Sequence, residues 1–166
     1  EALVFDVKSG PGAFMKTLKD AEELANSLVK TGEAMGKRII GVITDMSEPL
    51  GNKVGNFFEV EESMDCLQGR GPDDLMEVTL RLAAWMLVAG GAAGDVEEGL
   101  EKSWQAISSG KAYELFIRNV NTQGGNTERL LKLKDNYRSK HARELRAQKD
   151  GFIQSIDAYK IGMAGV

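Results

Sequence analysis

Leu3-Val4-Phe5-Asp6-Val7-Lys8-Ser9-Gly10-Pro11-Gly12-Ala13-Phe14-Met15-Lys16 is the stretch from which the rest of the chain is read. Leu3 to Val7 is apolar except for Asp6, the composition of a strand buried on both faces, as in a parallel sheet. Ser9-Gly10-Pro11-Gly12 ends it: two glycines admit positive φ or close approach to a ligand, and the proline nitrogen has no proton to give a ladder. A helix is expected directly afterwards. Asp6, Lys8 and Ser9 then stand at or just past the carboxyl end of a strand, where open α/β sheets place their ligand crevice. By spacing alone this is an ordinary strand-to-helix turn. Gly10-x-Gly12 lacks the third glycine of a dinucleotide fingerprint, and no Gly-Lys-Ser or Gly-Lys-Thr is present, so nothing here argues for NAD or ATP.

Ala13, Phe14, Leu18, Ala21, Leu24, Ala25, Leu28 and Val29 recur at three- and four-residue steps, which predicts an amphipathic helix from 13 to about 34. Arg38-Ile39-Ile40-Gly41-Val42-Ile43 reads as a second buried strand that ends in Thr44-Asp45-Met46-Ser47. A helical crossover makes the two strands parallel, so both polar ends face one sheet edge. Further helices are expected over about 53–68, from Pro72 to about Ala89, from Asp95 to Ile107 and over Ala112 to Val120. Trp85 and Trp104 fall on the apolar stripes and read as core. Residues 121–141 read as irregular or weakly helical. Lys149-Asp150-Gly151 before Phe152-Ile153-Gln154-Ser155-Ile156 is a hairpin signal that predicts a strand, and Asp157 can cap a last helix.

At 166 residues, 42% hydrophobic and 28% charged, the chain suffices for one domain with its own core. A single cysteine, Cys66, rules out an internal disulfide; with His141 the only histidine, a Cys/His metal cluster is ruled out too. Cys66 reads as a small buried apolar residue. No apolar run is long enough to cross a bilayer and no signal-peptide pattern appears, so a cytoplasmic protein is expected. Glu59, Glu61, Glu62 and Asp65 lack the spacing of a calcium loop and read by spacing as a solvated acidic face. Residues 129–149 carry eight Lys and Arg against Asp135 and Glu144, a local +6 in a chain of net charge −4. With only Tyr137 there to stack on a base, a solvated basic face is the expectation and nucleic acid is not. The alternative is a non-catalytic α/β module that binds an anionic partner or nucleic acid through 129–149. Both termini read as cut, because a strand-forming run follows Glu1 at once and the chain stops within a small apolar run at Val166. A longer protein is therefore expected.

The opening run, Ile43-Thr44-Asp45-Met46-Ser47-x-Pro49-Leu50-Gly51, Val54-Gly55-Asn56-x-x-Glu59-Val60, Leu67-x-Gly69-x-Gly71-Pro72-x-Asp74-Leu75 and Asp150-Gly151-Phe152, in this order, resemble the thymidine phosphorylase and pyrimidine-nucleoside phosphorylase family. The resemblance implies an α/β fold, part of a mixed, largely parallel sheet flanked by helices, from a larger multi-domain enzyme. Residues 1–166 would be a section of its central α/β domain, without the N-terminal helical lobe, the glycine-rich phosphate loop and the C-terminal region. Anthranilate phosphoribosyltransferases share the general fold but use an activated ribose diphosphate and magnesium; the Thr44-to-Gly51 run favours the phosphorylase.

The implied activity is a pentosyl transfer, the reversible phosphorolysis of thymidine or uridine to free base and (deoxy)ribose 1-phosphate, with inorganic phosphate as co-substrate. The Lys-His-Ser-Thr-Gly-Gly loop that holds phosphate in the family, and the arginine, serine and lysine that hold the base, do not occur here, so no catalytic residue is assigned and the isolated chain is expected to be inactive. By resemblance Phe14 lines the base pocket, with Asp6, Lys8 and Ser9 nearby. Leu50 and Lys53, through backbone carbonyls, and Glu62, through its carboxylate, match a monovalent-cation site, potassium being the implied ion. A homodimer is implied for the full-length protein.

Overall fold

The computed structural model describes residues 2–165. Strand β1 (Ala2–Ser9) and strand β2 (Arg38–Asp45) pair in parallel across helix α1 (Leu18–Ala34), as the strand-helix-strand pattern requires. Val7 faces Ile43 and Lys8 faces Thr44 in the register, so the polar strand ends do share one edge. The sheet has two strands among the described residues, flanked by helices, an α/β arrangement.

Strand alternation divides the residues between two faces. Val7, with Phe5 and Ile43, packs on Ala21, Ala25 and Leu28 of α1. Helix α3 (Asp73–Ala89) packs against both strands, and the Arg38 guanidinium donates to the Ala89 carbonyl at 2.9 Å. Of β1 only Val7 is buried, so the expected burial of Leu3 to Val7 on both faces does not hold within these residues: a pair of strands leaves both outer edges open. A second core joins Cys66 of α2 (Asn56–Cys66), Met76 of α3 and Ile107 of α4 (Val96–Ser108). Helices α3 and α4 touch at Gly99, where a Cβ would lie 2.9 Å from the Ala84 Cβ.

Several boundaries differ from expectation for local reasons. Helix α1 starts at Leu18, not 13, because the Thr17 hydroxyl caps the Asp20 amide and residues 10–15 form a turn closed by Gly10 N–H to the Met15 carbonyl at 2.9 Å. Helix α2 starts after Gly55, whose φ of 113° is outside the helical range. Helix α5 (Lys111–Thr122) is followed by α6 (Thr127–Leu133), a short helix capped by Asn126 inside the stretch read as irregular or weakly helical. Trp104 is half exposed rather than core, since its helix has only one covered side. The expected strand at Phe152–Ile156 is absent: residues 138–156 form neither helix nor strand, and Phe152 is 100% exposed with no strand beside it to pair with. Asp157 does cap a last helix, α7 (Ala158–Ala164). No helix among the described residues is long and apolar enough to cross a membrane.

Candidate functional site

The turn after β1 is pressed against the end of β2. Gly10 has φ 132°, and a Cβ there would lie 2.8 Å from the Ser47 nitrogen; one at Gly12 would lie 2.9 Å from the Met46 carbonyl oxygen. Two backbone bonds cross the same contact, Met46 N–H to the Ser9 carbonyl at 2.7 Å and Gly12 N–H to the Met46 carbonyl at 3.1 Å. Glycine is required because a β-carbon at either position would separate the two loops.

Asp6 and Lys8 lie two residues apart on β1 and therefore on one face, with Thr44 beside Lys8 in the register. Lys8 Nζ donates to Asp6 Oδ2 at 2.7 Å and to Thr44 Oγ1 at 3.1 Å, while the Thr44 hydroxyl donates to Asp6 Oδ1. Each of the three polar side chains holds the other two at the carboxyl end of the sheet. Next to them the Ser47 hydroxyl, followed by the Ser47 amide, holds the Asp45 carboxyl below the usual carboxylate range. Of this group, motif reading selected Asp6 and Lys8 but gave Thr44 no role, because its partnership exists only across the strand pair.

Phe14 is 97% exposed and borders a hollow of about 590 Å³ that Asp6, Lys8, Phe5, Leu24 and Tyr159 also line. The structure thus brings Phe14, Asp6 and Lys8 to one concavity; Ser9, the last residue of β1, does not line it. Tyr159 was not singled out by sequence, since it lies 145 positions from Phe14 in no shared pattern.

Leu50, Lys53 and Glu62 line a second cavity, of about 340 Å³, which also borders Lys8 and Met46. Glu62 is 5% exposed, and its two carboxylate oxygens accept the Asn52 amide at 3.0 Å and the Lys53 amide at 3.3 Å. Asp74 accepts the Gly51 amide at 2.9 Å, so three successive amides of this turn are held by two carboxylates. The Lys53 ammonium is directed elsewhere, to Glu61 at 2.7 Å. One carboxylate and two backbone carbonyls are hard oxygen donors, which fit a hard cation but are fewer than such an ion takes. No group of three or more His, Cys, Asp or Glu side chains among the described residues is placed to hold a metal.

Glu61 and Asp65 are not the solvated acidic face that spacing suggested. Glu61 is 7% exposed; the Lys53 ammonium, then the Asp135 amide, hold its carboxyl below the usual range. Asp65 is pushed up by burial, but hydrogen bonds from Lys134 and Arg70 together with the fields of Lys134 and Lys53 outweigh that and leave it lowered. Lys134 is raised in turn, first through its bond to Asp65. The basic stretch is therefore anchored to α2 by Lys134, whose side chain is only 11% exposed, and is not a uniformly solvated face. Cys66 is buried as expected; burial, then the charges of Glu62 and Asp65, push its thiol up and make it a poor nucleophile.

Comparison with known proteins bears on this site as a whole. A pyrimidine-nucleoside phosphorylase of Staphylococcus epidermidis (strain ATCC 12228 / FDA PCI 1200) is 40% identical over all 166 residues, and one of Staphylococcus aureus (strain USA300) is 38% identical over the same span. The chain covers 38% of the length of each of these relatives. The resemblance read from the motifs is thus borne out. The glycosyl transferase family, a/b domain, matches residues 1–113, which hold both strands, the Phe14 turn and Leu50, Lys53 and Glu62, and the chain belongs to that family.

Proposed function

We propose that this chain is one wall of the nucleoside cleft of a pyrimidine-nucleoside phosphorylase, whose remaining ligands lie in sequence outside residues 1–166. The supporting observation is that a chain 40% identical throughout to such an enzyme gathers Phe14, Asp6 and Lys8 on one hollow at the carboxyl edge of its parallel strands. In the proposed reaction a phosphate oxygen forms a bond to C1′ of the sugar, the bond from C1′ to the base nitrogen breaks, and the base departs with the electron pair. A transfer of this kind depends on positioning and on stabilising charge on the departing group, and it needs no covalent nucleophile. Phe14 gives the base an apolar face to lie against. Lys8, held by Asp6 and Thr44, is fixed near the hollow rather than free to swing, which suits it to orient a substrate oxygen.

The carbonyls of Leu50 and Lys53 and the carboxylate of Glu62 would hold a monovalent cation such as potassium, with the other ligands supplied from outside this chain. When bound, the ion would brace the loop that carries those outside ligands. Phosphate ligands and the donors to the base are likewise assigned to the remaining sequence, so residues 1–166 alone do not turn over. The full-length protein acts as a cytoplasmic homodimer in this reading. The test is release of thymine from thymidine and uracil from uridine by the full-length protein at increasing phosphate. Release that needs phosphate is expected from the full-length protein and none from residues 1–166; absence of release from the full-length protein at any phosphate concentration overturns the reading.

A further inference from the structure

Helix α7 is seated on the turn after β1 through one contact. Ala158 is buried, and a Cβ on Gly12 would lie 2.9 Å from the Ala158 Cβ, nearer than two such carbons approach. The absence of a side chain at position 12 is what lets the helix sit there. Asp157 sets where the helix begins by accepting the Lys160 amide at 3.0 Å. At its other end the helix comes over the turn that precedes α2, because a Cβ on Gly165 would be 3.4 Å from Val54 Cγ1 and one on Gly55 would be 3.6 Å from the Gly165 carbonyl oxygen. Helix α7 forms part of two cavity walls. Tyr159 lines the Phe14 hollow, whereas Ile161 and Gly162 line the Glu62 cavity.

Tyr159 is 60% exposed on a short helix that already has a buried anchor, so packing does not account for its ring. It stands on the same hollow as the almost fully exposed ring of Phe14, over a base formed by Phe5, Leu24 and Leu28. An apolar recess with two solvent-facing aromatic rings and a polar edge at Asp6 and Lys8 suits a planar heterocycle carrying a polar substituent. We propose that Tyr159 is a substrate-contact residue of this hollow, its ring forming the second aromatic wall for the pyrimidine of the nucleoside. The inference rests on the phosphorolysis reading and extends it to a residue brought in by the end of the chain. Because the ring is carried by α7, its distance from Phe14 depends on the Gly12 to Ala158 contact, and the hollow is sensitive to substituents on the face of the base that it meets.

Kinetics of the full-length protein and its Tyr159→Leu and Tyr159→Phe variants test this, with KM measured separately for nucleoside and for phosphate. Loss of one base-to-ring contact is expected to raise the nucleoside KM of the Leu variant about tenfold. Its phosphate KM should stay within about twofold, and the Phe variant, which keeps the ring, should stay within about threefold of the parent in both. A Leu variant with unchanged nucleoside KM overturns the proposal and leaves the phosphorolysis reading standing. A parallel rise in both KM values, or a Phe variant impaired as much as the Leu variant, overturns it as well, since either marks a role in the fold. A parent protein that shows no phosphorolysis overturns the underlying reading and the Tyr159 assignment with it.

Discussion

Gly32 lies inside α1 yet faces the sheet, and a Cβ there would lie only 2.0 Å from Ile39 Cγ1. Alanine in a helix ordinarily stabilises relative to glycine by about 1 kcal/mol, and here steric overlap with a buried strand residue opposes it. Gly32→Ala is expected to destabilise by about 1–3 kcal/mol, read as a lower urea midpoint with an unchanged slope. A neutral or stabilised variant would mean that Ile39 can move aside. At Cys66 the raised thiol predicts slow alkylation: iodoacetamide at neutral pH should modify the folded chain far more slowly than the chain in denaturant, measured by mass spectrometry. Lys134 is the most consequential charge outside the site. Replacing it by Met leaves Asp65 with the more exposed Arg70 and the longer contact to Lys53, and should cost about 1–3 kcal/mol in a denaturant titration.

At the scale of elements, α7 and the stretch before it behave differently for visible reasons. Helix α7 has seven residues, too few to be stable by propensity, so its order comes from the Asp157 cap and from Ala158 on Gly12. Asp157→Ala should therefore abolish amide-exchange protection over 158–164 while leaving that of α1 and α3 intact. Residues 138–156 have no backbone ladder, and Leu145 and Phe152 are almost wholly exposed. Trypsin should cut first at Arg143, Arg146 or Lys149, with the resistant product ending near Tyr137, whose ring rests on Phe57 and Phe58 at 5.1 and 5.3 Å between centroids. Early cleavage within α2 or α3 would contradict this order of stability.

For the molecule as a whole, the ion network between α2 and residues 134–135 predicts the pH dependence of stability. Glu61 and Asp65 have folded pKa values below their unfolded ones, so near pH 4 the unfolded chain binds more protons and stability rises with pH. Their contribution is present above the ordinary carboxylate range and is lost as pH falls through the lowered values. Lys134 is raised, so its contribution is full below the ordinary lysine range and is lost as pH rises through the raised value. The denaturant midpoint should therefore hold a plateau between about pH 5 and 10 and fall on both sides, with both limbs shallower in Lys134→Met. Equal limbs in the variant and the parent would remove Lys134 from the network. By itself the amino-acid sequence determined the two strands, the helix between them, their parallel pairing and the helix α7 capped by Asp157, because periodicity, glycine breaks and capping residues act over a few positions. It also determined that Phe14 follows a glycine turn at a strand end. Only the tertiary structure decided that Thr44 closes a bonded set with Asp6 and Lys8, that Glu61 and Asp65 are neutralised by Lys53 and Lys134, and that Tyr159 reaches the hollow of Phe14. Those partners are 8 to 145 residues apart, and no local pattern encodes a contact made by elements that meet only after the chain has folded back.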